Sequence, residues 1–102
     1  MSNVKKMDPD EVRLNLPSGW EIRIVEEVPR LHKKYSFSQY SAGIRFVNEL
    51  AKEAERSDHH PDLGVSYGSV KVEIFTHSLQ GLSNLDLEFA TFAEAAYEKV
   101  RL

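Results

Sequence analysis

The chain has 102 residues, of which 41% are apolar and 28% charged, with a net charge of −3 and no cysteine. That length bounds it to one domain with a modest core, and the balance is that of a globular protein rather than a disordered one. Disulfides, thiolate metal sites and cysteine nucleophiles are excluded, and basic residues interleaved with acids disfavour direct nucleic-acid binding, which rewards concentrated positive charge.

Residues 1–7 are expected to form a loose tail without the apolar segment of a secretory signal. Asp8-Pro9-Asp10-Glu11 places acids and a proline where a helical first turn favours them, predicting one or two turns before Pro17. Trp20–Ile24 alternates apolar and charged residues and reads as a half-buried strand. Glu26 to Pro29 form a connection, and Leu31–Tyr35 completes a hairpin. Ser36-Phe37-Ser38-Gln39 fits a capping box, with Tyr35 and Tyr40 as its hydrophobic staple. It opens a helix over 37–57, where Tyr40, Ile44, Val47, Ala51 and Ala54 recur at helical spacing and Phe46 and Leu50 widen the stripe. Pro61 enforces its end by disfavouring helical geometry at His60.

Leu63, Val65 and Tyr67 alternate as a third strand. Gly68-Ser69 is a turn, and Val70, Val72 and Ile74 alternate as a fourth strand against Lys71, Glu73, Phe75 and His77. Ser83-Asn84-Leu85-Asp86 is a second capping box, with Leu82 and Leu87 as its staple. The helix it opens spans 84–100, with Leu85, Phe89, Phe92, Ala96 and Val100 on one stripe. This order predicts an α+β fold: a four-stranded antiparallel sheet with helices on one face. The other face, or a sheet edge, is expected to meet a second subunit. No apolar run approaches the roughly 20 residues that span a bilayer, so no membrane partner is expected and the expected location is cytoplasmic.

Four histidines carry the chemical interest, because imidazole changes charge near neutral pH. His59 and His60 follow the long helix, with Asp58 before them and Glu55 one turn earlier. His77 ends the fourth strand, and Asp86 opens the last helix. Each has a plain alternative. His32 reads as an ordinary solvated residue, Asp86 as a helix-capping acid, Glu55 and Asp58 as surface acids, and Tyr67 as a strand core residue. No metal is expected, since neighbouring histidines in an extended segment point to opposite faces and HExxH is absent. No GxSxG elbow, GxGxxG or P-loop occurs. Imidazoles oriented by carboxylates suit acid–base catalysis, notably an elimination in which one group protonates a departing hydroxyl and another removes a proton.

The spacing Glu55-x-x-x-His59-His60-Pro61, five residues, Tyr67, nine residues, His77, eight residues, Asp86 resembles the signature of pterin-4a-carbinolamine dehydratases. Gly19-Trp20, Tyr35-Ser36-Phe37, Ser69-Val70, Thr76-His77 and Gly81-Leu82-Ser83 match as well, so the resemblance covers residues 17–100. It departs at Leu63, where many members carry an aromatic residue, and in a short segment before Trp20. The resemblance implies dehydration of 4a-hydroxytetrahydropterin to quinonoid dihydropterin, in the recycling of tetrahydrobiopterin. It implies His59, His60 and His77 as catalytic imidazoles, and Glu55, Asp58, Pro61, Thr76 and Asp86 around the pterin. The pterin is then the substrate, no separate cofactor is needed, and the assembly is a homodimer or homotetramer. The same resemblance extends to two other roles: pterin binding in molybdenum-cofactor metabolism, and service as a dimerisation cofactor of a homeodomain transcription factor.

Overall fold

The computed structural model describes residues 3–101. In chain order the elements are β1 (Lys6–Met7), α1 (Pro9–Asn15), β2 (Glu21–Val25), β3 (Val28–Ser36), α2 (Tyr40–Ser57), β4 (Asp62–Ser66), β5 (Ser69–Ile74), a 3₁₀ turn (His77–Leu79), β6 (Leu82–Ser83) and α3 (Asn84–Val100). The four long strands form one antiparallel sheet in the order β2-β3-β5-β4. This is the expected α+β architecture.

The sheet has two unlike faces, because successive side chains on a strand point to opposite sides. Leu31 and Tyr35 of β3 and Val70, Val72 and Ile74 of β5 share one face and are buried. From α2, Ala42, Phe46, Leu50 and Ala54 recur every four residues and are buried. From α3, Phe89, Ala93, Ala96 and Val100 recur at steps of three or four residues and are buried as well. Each fully buried Leu, Val or Phe contributes about 1.5–3 kcal/mol, so this one layer of contact dominates the core. Phe46 and Leu50 lie at the centre of the α2 stripe, whereas Tyr40 and Ala51 are exposed. The opposite face carries Glu21, Arg23, Arg30, His32, Lys34, Lys71, Glu73 and Asp62, which the strand register places on one side.

Three local expectations are corrected. The Ser36–Gln39 capping box and its Tyr35–Tyr40 staple do not form. Ser36 is still paired with Ser69, and the Phe37 N–H donates to the Gly68 carbonyl at 2.9 Å, so the chain stays extended and α2 begins at Tyr40 with Gln39 as N-cap. Lys6–Met7 is not loose, because it pairs with Leu82–Ser83 and brings the N-terminal segment alongside the start of α3. Tyr67 sits in the β4–β5 turn, 82% exposed, and stacks on Tyr40 at 6.4 Å between centroids. The β2–β3 hairpin also closes more tightly than expected. Val25 pairs with Val28, leaving Glu26 and Glu27 at φ of 51° and 69°. Those angles are the left-handed pair a two-residue hairpin turn requires, held here without glycine at about 1–2 kcal/mol per residue. Among the described residues, no helix is long and apolar enough to cross a membrane.

Candidate active site

The site forms where α2 ends and where β5 hands over to α3. Asp58 caps α2 in the left-handed conformation (φ 52°, ψ 42°), and the N–H groups of Asp58 and His59 both return to the Ala54 carbonyl. Aspartate tolerates this conformation better than most non-glycine residues. The reversal sends His59 inward and leaves His60 outside.

His59 is 7% exposed, and its Nε2 lies 2.7 Å from Oδ1 of Asp86, which is fully buried. Asp86 is the N3 residue of the α3 capping box that the sequence predicts, and that box forms. Its Oδ2 accepts the Ser83 N–H at 2.8 Å and the Thr76 hydroxyl at 2.9 Å. Thr76 has one hydroxyl proton to give, so the 2.7 Å contact between the Thr76 and Ser83 hydroxyls runs from Ser83 to Thr76. Both of these donors end on Oδ2, which leaves Oδ1 of Asp86 facing His59 Nε2. Asp86 thus makes two kinds of contact: Oδ2 caps α3, and Oδ1 meets the His59 imidazole.

His60 shows the opposite arrangement. Its Nε2 lies 2.6 Å from Oε2 of Glu55, and both side chains are solvent-exposed. His77 opens the 3₁₀ turn after β5 rather than ending the strand, and its ring lies 4.2 Å from that of Phe75, tilted by 33°. Phe75 in turn carries the Arg30 guanidinium 4.4 Å above its ring centre. The His77 ring is thus backed by an aromatic surface and free at its edge.

A recess of about 440 Å³ is lined by His59, His60, His77, Asp58 and Thr76, together with Ser57, Ser78, Leu85 and Val4. Five of the eight residues singled out in the sequence therefore meet in one concavity. Asp86 supports it from behind, and Glu55 supports it through His60. Pro61 follows His60 in the chain and does not line the recess. Val4 and Ser78 carry no sequence signal, while Ser83, read only as a cap, also relays a hydroxyl to Thr76. A second recess of about 340 Å³ shares Ser57, Asp58, His59 and Leu85 and extends toward Arg56 and Glu88. Among the described residues, no three His, Asp or Glu side chains converge as metal ligands would.

The family model for pterin 4 alpha carbinolamine dehydratase matches residues 5–96. The chain belongs to that family. A Rickettsia bellii protein provisionally named pterin-4-alpha-carbinolamine dehydratase is 39% identical over 87 residues, covering 85% of this chain and 74% of its own length. A protein of the same provisional name from Saccharolobus solfataricus is 30% identical over 98 residues and covers 96% of both chains. Among solved structures, a Brucella melitensis protein described as a transcriptional coactivator/pterin dehydratase superposes with a TM-score of 0.80 at 28% identity, covering 90% of this chain and 98% of that one. A pterin dehydratase-like protein described as a RuBisCO assembly factor of the alpha-carboxysome shares the fold with a TM-score of 0.67 at 21% identity, over 78% of this chain and 90% of its own.

Proposed function

We propose that this chain dehydrates a 4a-hydroxytetrahydropterin to the quinonoid dihydropterin, with His59, His60 and His77 as its catalytic or substrate-polarising imidazoles. The supporting observation is one recess lined by three imidazoles that arrive from two different elements, one locked by a buried carboxylate and two reachable from solvent. The reaction breaks the C4a–OH bond and the N5–H bond and forms C4a=N5, with the N5 electrons replacing those that leave with oxygen. One imidazolium protonates the departing hydroxyl to water, and one neutral imidazole accepts the N5 proton. No electrons are gained or lost, so no redox cofactor is required.

In this scheme His60 and His77 exchange protons with the substrate at the mouth of the recess. His59, its Nε2 committed to Asp86, presents its other edge in a fixed orientation and polarises the substrate. Asp58 and Thr76 complete a polar wall against which a flat, hydrogen-bonding bicycle seats. Positioned acid–base groups of this kind contribute about 10²–10⁴-fold each.

Stopped-flow dehydration of freshly generated 4a-hydroxytetrahydropterin tests the reading. Acceleration over the spontaneous reaction is expected, with a loss of about 10²–10⁴-fold in His60→Ala and in His77→Ala. Both residues are exposed, so both variants keep the wild-type circular dichroism spectrum. Absence of acceleration by the wild-type chain rejects the dehydratase reading, and near-normal turnover in either variant removes that histidine from it.

A further inference from the structure

The solvent-facing side of the sheet holds two pairs of like charges placed directly opposite one another. Arg23 faces Arg30 across β2 and β3, and Lys34 faces Lys71 across β3 and β5. Directly opposed like charges destabilise a sheet unless something neutralises them. The arginine pair is neutralised from within. Arg23 meets Glu21 at 2.7 Å, and Arg30 meets Glu73 at 3.3 Å while lying over Phe75. The lysine pair is not: among the described residues, neither Lys34 nor Lys71 has an ion-pair partner.

The surroundings of the lysines are built like a receptor for what they lack. In the same row on β4 stands Gly64, where an added Cβ would touch only the Lys71 Cβ at 3.8 Å, so the third position of the row is open space. The next row is Ser36, Ser69 and Ser66, three hydroxyls that register places side by side on the same face. On the other flank, Lys34 and Lys71 line a recess of about 450 Å³ shared with Arg23 and Glu21, which pair with each other, and with His32. His32 is 8% exposed and makes no hydrogen bond to a described residue, its Nδ1 standing 3.7 Å from Glu21.

We infer that the Lys34–Lys71 row is a binding site for a compact phosphate dianion, inorganic phosphate or the phosphate of a small phosphomonoester. Two ammonium groups supply point charges suited to phosphate, the serine row supplies hydroxyl donors, and the bound dianion cancels the like-charge repulsion. A polyanion fits less well. The row adjoining the lysines, Glu21–His32–Glu73–Asp62, carries three carboxylates across all four strands, and a nucleic-acid strand running along the sheet would meet them. The site shares no residue with the histidine recess, so this inference stands apart from the dehydratase reading.

The test is an amide chemical-shift titration of the full chain with inorganic phosphate against chloride at matched ionic strength. Saturable shifts are expected at Lys34, Ser36, Gly64, Ser69 and Lys71, with an affinity in the millimolar range. Lys71→Ser should weaken them at least tenfold. A second measurement uses stability. In phosphate-free buffer Lys71→Ser raises Tm by a few degrees, because the repulsion is relieved. Millimolar phosphate then raises the Tm of the wild type but not that of the variant. Shifts that do not saturate, that are unchanged by Lys71→Ser, or that centre on the histidine recess overturn the inference. So does tighter binding of a single-stranded oligonucleotide to the same amides. A dimeric mass in light scattering with these amides shielded in the absence of phosphate assigns the row to a second copy and overturns it as well.

Discussion

His59 and His60 are adjacent in the chain, and each meets a carboxylate at nearly the same distance, 2.7 Å to Asp86 and 2.6 Å to Glu55. By distance the two pairs are equivalent, but their surroundings make them opposites. Asp86 is completely buried and meets His59, Thr76 and the Ser83 N–H, whereas Glu55 and His60 stand in water. Burial raises the cost of losing a partner far more than it raises the strength of keeping one. One pair therefore holds the fold and the site together, and the other holds only a side chain. The reversal at Asp58 produces this division, turning one imidazole into the protein and the next out of it.

The largest expected effect breaks the buried side. Asp86→Ala removes the acceptor of His59 Nε2, the Thr76 hydroxyl and the Ser83 N–H together, and deletes half of the α3 capping box. A loss of about 3–5 kcal/mol is expected, a large share of the 5–15 kcal/mol typical of a domain. Urea unfolding measures it, and a loss under about 1 kcal/mol would show that the pair is no more important than an exposed one. Thr76→Val is the finer cut. It keeps the shape and removes one donor to Asp86 and one acceptor from Ser83, with an expected cost of about 1–3 kcal/mol. Equality with wild type in the same assay would mean that the hydroxyl relay is incidental.

Glu94 offers an intermediate case. Its Oε2 accepts from Lys33 at 2.7 Å, from the Trp20 indole at 3.2 Å and from the Tyr35 hydroxyl. Burial pushes its pKa up, but the hydrogen bonds from Lys33 and Tyr35, with the Lys33 charge, outweigh burial and hold it below the ordinary value of 4.5. A carboxylate whose pKa is depressed on folding adds stability that is complete above the unfolded value. That stability is lost as pH falls through the folded one. The denaturation midpoint of the wild type should therefore fall below about pH 4.5, and its advantage over Glu94→Gln should shrink across the same range. An advantage that stays constant with pH would mean that the carboxylate's charge contributes nothing.

Much of this division was legible in the sequence, and the exceptions have physical reasons. Alternation placed the four long strands, because the apolar residues of each share one parity; that face is buried on β3 and β5 and only partly covered on β2 and β4, where Ile24 and Val65 are exposed. The Ser83–Asp86 box was legible because both of its bonds are local. The identical logic failed at Ser36–Gln39, where Ser36 was already bound into β3 by Ser69 and the local pattern lost to a long-range partner. Lys6–Met7 left no trace, since two residues carry no period. The histidine cluster was visible as a set, whereas the burial of His59 against the exposure of His60 was not. That contrast depends on the left-handed turn at Asp58, and an aspartate there reads as an ordinary surface acid.

The smallest expected effect lies on the exposed side and is the most diagnostic. Glu55→Gln should change stability by less than about 0.5 kcal/mol, because exposed ion pairs are screened and the side chains regain freedom when released. What the variant does to turnover depends on why Glu55 is there. If it only orients His60, the glutamine carbonyl still accepts from Nε2–H, and dehydration should fall by no more than about fivefold, the scale of one exposed charge. Glu55→Ala, which removes the acceptor, should fall further. If instead the negative charge itself supports an imidazolium at His60, glutamine and alanine should be equally poor. In so open a setting water screens charge and leaves direction intact, so the expected order of turnover is wild type, then glutamine, then alanine. Equal losses in the two variants would show that the exposed pair acts through its charge after all, and that burial is not what separates the two histidines.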